Sequence, residues 1–310
     1  MTQVSVIIPT YNRARFLPTA IDSARAAASN PQIIVVDDGS TDDTAAVCRS
    51  LPDIEYLRLP ANRGLAAARN AGIRTSSADF IAFVDDDDLR LPRSIDLQVA
   101  ALAQTDAALC YGRVLLADAK NRLPTGEILP LKCPGGDIFW DLLEGLFLTP
   151  VSVLARREAL FAANLFDERL ALSEDWDFWI RIAETRTIIA VPEPVAIYRQ
   201  SASGSEQLGS NVLELMRQML TVQQAALRRP RALTAPPWQR RQARRRLLKF
   251  AYDSLRAHAC DAVAINDFAT ARASATEAMR LRPLRGRGDL TLRSVLGQCR
   301  GPEQKHRGRQ

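Results

Sequence analysis

Residues 80–88 read Phe-Ile-Ala-Phe-Val-Asp-Asp-Asp-Asp, five apolar residues and then four carboxylates. Five consecutive apolar residues suit a strand buried on both faces of a parallel sheet. Such a strand delivers whatever follows it to the carboxyl edge, where open α/β folds bind ligands. Adjacent like charges repel, so Asp85, Asp86, Asp87 and Asp88 are costly together without a cation. A divalent ion that prefers hard oxygen would offset that repulsion and hold a diphosphate against the same acids. Taken alone, an acidic run is most simply a solvated turn, so its surroundings have to decide.

Outward from this run, short apolar segments alternate with helical ones in the manner of βα units. Strands are expected at 4–8, 33–36, 54–59 and 80–84. Helices are expected over about 14–28, from an acidic N-terminus at 40–43, over the alanine-rich 65–74, and from near Pro92 through Leu102. These make a doubly wound sheet. Beyond it the periodicity degrades. Residues 118–137 hold three prolines and three glycines and read as loop or short hairpin, while 141–147, 157–163 and 175–185 read as helices. Residues 191–198 suggest a strand that Pro192 and Pro194 limit to an edge, and the Ser/Gly-rich 201–210 reads as mobile.

The chain has 310 residues, 47 % of them hydrophobic, enough for a real core. No apolar stretch reaches the roughly 18 to 20 residues that span a bilayer. Residues 4–8 open without a basic leader, so no export signal is expected. Five cysteines, scattered and without CxxC spacing, suggest neither a zinc site nor a disulfide framework and fit a reducing cytoplasm. Residues 228–310 hold 20 of the 41 Lys and Arg but 6 of the 35 Asp and Glu, which makes an acidic body and a basic tail.

Two more clusters stand at strand ends. Pro9-Thr10-Tyr11-Asn12-Arg13 follows the first strand, and Asp37-Asp38-Gly39-Ser40 ends the second. A carboxylate there accepts from a pyrimidine imide N–H, Tyr11 stacks on a base, and Arg13 meets phosphate or a carbonyl. The plainer reading of Asp-Gly-Ser is a turn with a helix cap. In residues 62–72, Asn-Arg-Gly-Leu-Ala-Ala-Ala-Arg-Asn-Ala-Gly, small residues allow close packing and set Arg69 and Asn70 about one turn from Ala66.

In order and spacing, VSVIIPTYNR, IIVVDDGSTDDT, NRGLAAARNAGI and FIAFVDDDDLRLP, with LFDERLALSEDWDFWIRIAE some ninety residues on, resemble family 2 glycosyltransferases of the GT-A fold. The resemblance covers roughly residues 2–200. It implies a Rossmann-like, mainly parallel sheet flanked by helices, here with a helical basic C-terminal extension. The expected divisions are 1–210 for the transferase domain (nucleotide half to about 104, acceptor half from 105), 211–299 for the extension and 300–310 for a disordered tail.

The resemblance also implies roles. The DXD-type metal motif falls on Asp85–Asp88, with Asp87 as the expected ligand of Mg²⁺ or Mn²⁺, Asp85 as an alternative and Asp86 facing the ribose or the metal's water shell. Nucleotide-binding positions fall on Pro9, Thr10, Tyr11, Arg13, Asp38 and Arg69, with a UDP-sugar as first donor and a dTDP-sugar next. Asp175 of the Glu174-Asp175 pair becomes the general base of an inverting displacement onto an acceptor hydroxyl, capped by Ser173 at a helix start. Glu174, Trp176 and Arg199 are candidates for acceptor or donor-loop contacts, although Trp176, Phe178 and Trp179 read more simply as core. Arg181, Arg156 and Arg157 read as surface charges. Many relatives carry a histidine shortly after a Tyr-Arg pair, whereas this chain reads Tyr198-Arg199-Gln200-Ser201, which leaves a metal to carboxylates and donor phosphates.

The setting implied is cell-surface polysaccharide or glycoconjugate synthesis in the cytoplasm, with a carbohydrate or lipid-linked acceptor. Residues 238–252, dense in arginine and amphipathic, would either lie on an anionic inner-membrane face or dock on the acidic body. Residues 268–283 resemble the second helix of a tetratricopeptide-like hairpin. Nucleic acid is not expected, since no recognised module is present. Two other classes are weighed: a non-catalytic nucleotide-sugar or carbohydrate-binding protein, and a metal-dependent nucleotidyltransferase. The second would ordinarily carry a Gly-rich phosphate loop, and neither GxGxxG nor GxxxxGK[ST] occurs.

Overall fold

A computed structural model describes residues 4–118, 124–199, 211–282 and 288–299. The chain divides into two compact units, Met1–Leu142 with Leu146–Gln207 and Leu143–Gly145 with Leu208–Gln310.

In the first unit β1 (Val4–Thr10), β2 (Gln32–Asp37), β3 (Glu55–Arg58) and β4 (Phe80–Phe83) pair in parallel in the order β3-β2-β1-β4. All seven residues of β1 are buried, as a central strand covered on both faces demands. Between the strands run α1 (Leu17–Ala27), α2 (Thr44–Ser50) and α3 (Leu65–Thr75). Val6, Ile8, Leu17, Ile21, Val35 and Val84 share one core cluster. Helix α3 lies close on β1, because a Cβ at Gly72 would stand 2.5 Å from Ile7 Cγ2.

Register fixes the working edge. Thr10 pairs with Asp37, the amide of Asp38 donates to Thr10 O at 2.9 Å, and the amide of Val84 donates to Ile7 O at 3.0 Å. The ends of β1, β2 and β4 therefore open on the same side.

The second half of this sheet departs from the sequence expectation. After β5 (Leu89–Arg90) and α4 (Ser94–Leu102) come β6 (Leu109–Ala117), β7 (Pro124–Leu129), α5 (Phe139–Glu144), β8 (Val153–Arg156), α6 (Arg157–Ala162), α7 (Glu174–Ala183) and β9 (Ile188–Arg199). Among the described residues nine strands join, in the order β3-β2-β1-β4-β8-β6-β9-β5 with β7 on β6. Pairing turns antiparallel at β4–β8 and β8–β6, parallel at β6–β9 and antiparallel again at β9–β5, so the first half is wholly parallel and the second mixed. Strand β6 was not expected, because burial on both faces leaves no alternation to read and Gly112-Arg113 interrupts its apolar run. Residues 118–137 contribute the second strand of a hairpin, β7 on β6.

Strand β9 is longer than expected and is not simply an edge. It pairs with β6 along its length and with β5 at Ala196 and Ile197. Pro192 and Pro194 coincide with a register shift opposite 111–113, where a missing donor costs least. Expectations for residues 201–210 and 300–310 lie outside the described residues.

The second unit is helical: α8 (Val212–Ala226), α9 (Pro230–Thr234), α10 (Pro237–Ala264), α11 (Phe268–Leu281) and α12 (Leu290–Gln298). Ala243, Leu247, Ala251, Leu255 and Ala259 recur every fourth residue as the buried stripe of α10, against which the small Ala271, Ala275 and Ala278 of α11 allow close approach. Asp267 caps α11 by accepting from Thr270 N at 3.1 Å, and Asp289 caps α12 by accepting from Thr291 N at 2.9 Å. The resulting α10–α11 hairpin contains the stretch compared with a tetratricopeptide helix. No helix among the described residues is long and apolar enough to cross a membrane.

Candidate active site

The edge formed by β1, β2 and β4 gathers the expected side chains through direct contacts. Thr10 Oγ1 donates to Asp86 Oδ2 at 2.8 Å, and Arg13 Nη1 donates to Asp86 Oδ1 at 3.1 Å and Asp87 Oδ2 at 2.7 Å. Strand β1 and the acidic turn after β4 thus close on each other through hydrogen bonds to ionised groups, the strong kind. Tyr11 projects from the same strand end, 42 % exposed. Asp38 accepts from the amides of Arg63 and Gly64, each at 2.8 Å, which fixes the loop entering α3. Gly39 (φ 77°) is needed here, since any Cβ would run into the Ala61 backbone.

Arg69 joins two clusters far apart in sequence. It is 1 % exposed, donates through Nη2 to Asp85 Oδ1 at 2.7 Å and through Nη1 to Glu174 Oε1 at 2.7 Å. Burial works against its charge, but Asp85, Glu174 and Asp175 outweigh that and raise its pKa further. The acidic turn after β4 and the first turn of α7 are therefore held by one guanidinium. Asn70, the next residue, donates to Phe166 O at 2.9 Å and accepts from Phe166 N at 2.9 Å, tying α3 to the segment that leads into α7.

Carboxylates outnumber their cations here, and burial raises several pKa values. Asp86 is pushed up to about 7 by burial, with Arg13 opposing and Asp87 adding to the rise. Asp175 is pushed up to about 7 by burial and then by the charge of Glu174. Burial likewise raises Glu174, Asp38 and Asp88. Titratable groups shifted into the neutral range by burial plus named charge neighbours are a signature of functional clefts.

The donor set suits a hard divalent ion, being carboxylate oxygens that crowd one sheet edge with too few cations to balance them. In this geometry Asp85 and Asp86–Asp87 are turned to Arg69 and Arg13 respectively, and no three candidate ligand side chains among the described residues converge on one point. These acids thus fit such an ion by chemistry.

Several expectations need correcting. Arg69, expected at a nucleotide base, is enclosed and engaged with two acids. Trp176, Phe178 and Trp179 are 0 % exposed, in line with their reading as core, and only the alternative of Trp176 as an acceptor contact falls, since its Nε1 donates to Leu142 O at 2.8 Å. Glu174 is 6 % exposed and faces Arg69. Ser173 is not a side-chain cap: it sits in the left-handed region (φ 61°) and its buried Oγ has no partner among the described residues. Arg156 and Arg181 are not surface charges. Arg156 Nε and Nη2 donate to the carbonyls of Ala107 and Leu102, and Arg181 Nε donates to Asp177 at 2.7 Å. Arg199 emerges from β9 with its amide donating to Asp88 Oδ1 at 2.9 Å and its guanidinium 5.1 Å from the Phe16 ring. Asp88 and Asn70 had no separate role in the sequence reading; both lay inside the motifs, but their partners are about a hundred residues away.

Comparison with known proteins agrees with this architecture. A profile of the family described as glycosyl transferase family 2 matches residues 5–161, more than half of the chain. An uncharacterized glycosyltransferase of Rickettsia bellii is 29 % identical over 201 residues, 64 % of this chain and 29 % of that protein; the chain spans about a third of the length of this and two other rickettsial relatives. The Escherichia coli protein WfgD, named UDP-Glc:alpha-D-GlcNAc-diphosphoundecaprenol beta-1,3-glucosyltransferase, is 26 % identical over 69 % of this chain and 83 % of its own. Among solved structures, S. aureus TarS 1-349 superposes with a TM-score of 0.62 at 18 % identity, covering 92 % of this chain and 82 % of that one. The mannosyltransferase PcManGT of Pyrobaculum calidifontis gives 0.59 at 19 % identity, covering 96 % and 79 %. With its mixed α/β sheet matching GT-A structures and the family profile covering its first half, the chain belongs to glycosyl transferase family 2.

Proposed function

We propose that the protein moves a sugar from a nucleoside diphosphate sugar, a UDP-sugar first and a dTDP-sugar next, to an acceptor hydroxyl with inversion, Asp175 acting as the base. The observation that carries this reading is the Arg69 bridge, which ties the acidic turn after β4 to the helix start bearing Asp175 through bonds of 2.7 Å. In this reading the donor phosphates and the acceptor hydroxyl meet in one cleft. WfgD is named for a UDP-glucose donor and a diphosphoundecaprenol-linked acceptor, TarS has been seen with UDP-GlcNAc, and PcManGT with GDP-Man and Mn²⁺.

In this reading Tyr11 stacks on the base, while Thr10, Arg13 and Asp38 shape the pocket beside it. Asp87, with Asp85 as alternative, would hold a divalent ion, whose charge would ease departure of the diphosphate. Asp175, ionised, takes the proton of the acceptor hydroxyl as its oxygen attacks the anomeric carbon from the side opposite the diphosphate. Glu174 and Arg69 orient that carboxylate, and Arg199 approaches the diphosphate. The surrounding burial strengthens each of these charges relative to water.

Thermal denaturation with nucleoside diphosphates tests the donor side. Uridine or thymidine diphosphate is expected to raise the melting temperature only with Mg²⁺ or Mn²⁺ present, and chelation to abolish the rise. Equal stabilisation by guanosine and adenosine diphosphates would reject the pyrimidine assignment.

A further inference from the structure

Helix α10 carries six cations within ten residues: Arg240, Arg241, Arg244, Arg245, Arg246 and Lys249. Two of them are paired, Arg246 with Glu144 and Lys249 with Asp253 at 2.6 Å. Arg240, Arg241, Arg244 and Arg245 have no ion pair among the described residues.

Their surroundings add apolar groups that are equally uncovered. Trp238 is 58 % exposed and Leu233 of the preceding α9 54 %. On the helix, Trp238, Arg241, Arg245 and Lys249 follow one another at spacings of three and four, so they share a face, and that face is opposite the buried Ala243, Leu247, Ala251 and Leu255. Large apolar side chains standing free beside unmatched cations form an amphipathic surface of the kind that settles at a lipid headgroup boundary, the aromatic ring at the interface and the arginines on phosphates.

We propose that the exposed face of α10, centred on Trp238, Arg241 and Arg245, binds the surface of an anionic phospholipid bilayer. The complementary chemistry is a sheet of phosphate charge above an apolar layer. A nucleic acid would satisfy the arginines, but it has no use for Leu233, which cannot stack on a base. The inference does not depend on which donor the sheet edge takes. If it holds, a lipid-linked acceptor would be met at the surface where it resides.

The test is co-sedimentation of the full chain with vesicles of phosphatidylcholine alone and of phosphatidylcholine mixed equally with phosphatidylglycerol. Binding is expected only to the mixed vesicles and is expected to weaken as salt rises. Each cation near such a surface is worth about fivefold in affinity, so Arg241→Gln with Arg245→Gln should lower it roughly 25-fold. Trp238→Ala should weaken it independently and leave its salt dependence in place. Circular dichroism melts establish that each variant is folded, which exposed positions on a retained helix allow. No binding to mixed vesicles, equal binding to both compositions, or binding unchanged in the folded double variant would overturn the proposal, as would retention on single-stranded DNA without any on vesicles.

Discussion

The carboxyl edge of the sheet and the outer face of α10 are both crowded with charge, yet they treat it in opposite ways. At the edge, Arg69 is 1 % exposed and bound to two acids, and Arg13 to two more. On α10, Arg241 and Arg245 stand in solvent without a partner among the described residues. A buried charge is affordable only with its counter-charge in place, so the edge is a fixed arrangement in which each group constrains the next. A solvated charge costs nearly nothing and binds nothing internally, so it is available to a partner. The contrast separates a place built for chemistry from a place built for contact.

The largest effect should come from the acid assigned to proton transfer. Asp175→Asn is expected to reduce sugar transfer by roughly 10²- to 10⁴-fold while leaving diphosphate-dependent stabilisation nearly intact. Transfer assayed under single-turnover conditions checks this, and a variant keeping most of its rate would take Asp175 out of the mechanism.

Next is the comparison of arginines itself. Arg69→Met leaves Asp85 and Glu174 without their shared cation and should lower unfolding free energy by about 3–5 kcal/mol, the usual result of breaking a buried ion pair from one side. Arg241→Met should stay within about 0.5 kcal/mol. Urea denaturation of the two variants side by side measures the gap; similar values would erase the distinction drawn between the regions.

The smallest effect is the pH dependence. Asp175 has its pKa raised to about 7 in the folded chain, so folding favours its protonated form. Its contribution to stability is therefore greatest at low pH and declines as pH rises from the ordinary carboxylate range through about 7. Without ligands, Asp175→Asn should be more stable than the parent at about pH 8 and equal to it near pH 4. Transfer should move the other way, with kcat/KM rising as pH increases toward 7 and then levelling, because only the ionised base accepts a proton.

Much of the first half was legible because its signals are local. Residues 4–8, 33–36, 54–59 and 80–84 are strands in the structure, with ends shifted by at most two residues. Strands β6 and β8 were not legible: buried on both faces, and β8 only four residues long, they have no period to distinguish them from other apolar runs. The site divides in the same way. Asp85–Asp88, Asp38 and Thr10 could be assigned to one edge because each follows a strand whose direction the βα alternation supplies. That Thr10 and Arg13 grip Asp86 follows from this as well, once β1 and β4 are neighbours.

By itself, then, the sequence determined the βα order, the apolar strands and the acids and glycines at their ends, since these depend on period and turn chemistry within a few residues. Only the tertiary structure decided that Arg69 serves Asp85 and Glu174 and is enclosed, that the Trp176 indole N–H is given to Leu142 O, and that Arg240, Arg241, Arg244 and Arg245 of α10 have no ion pair among the described residues. Those outcomes depend on which surfaces meet across a hundred residues of chain, and burial, which sets the worth of every charge, exists only after they have met.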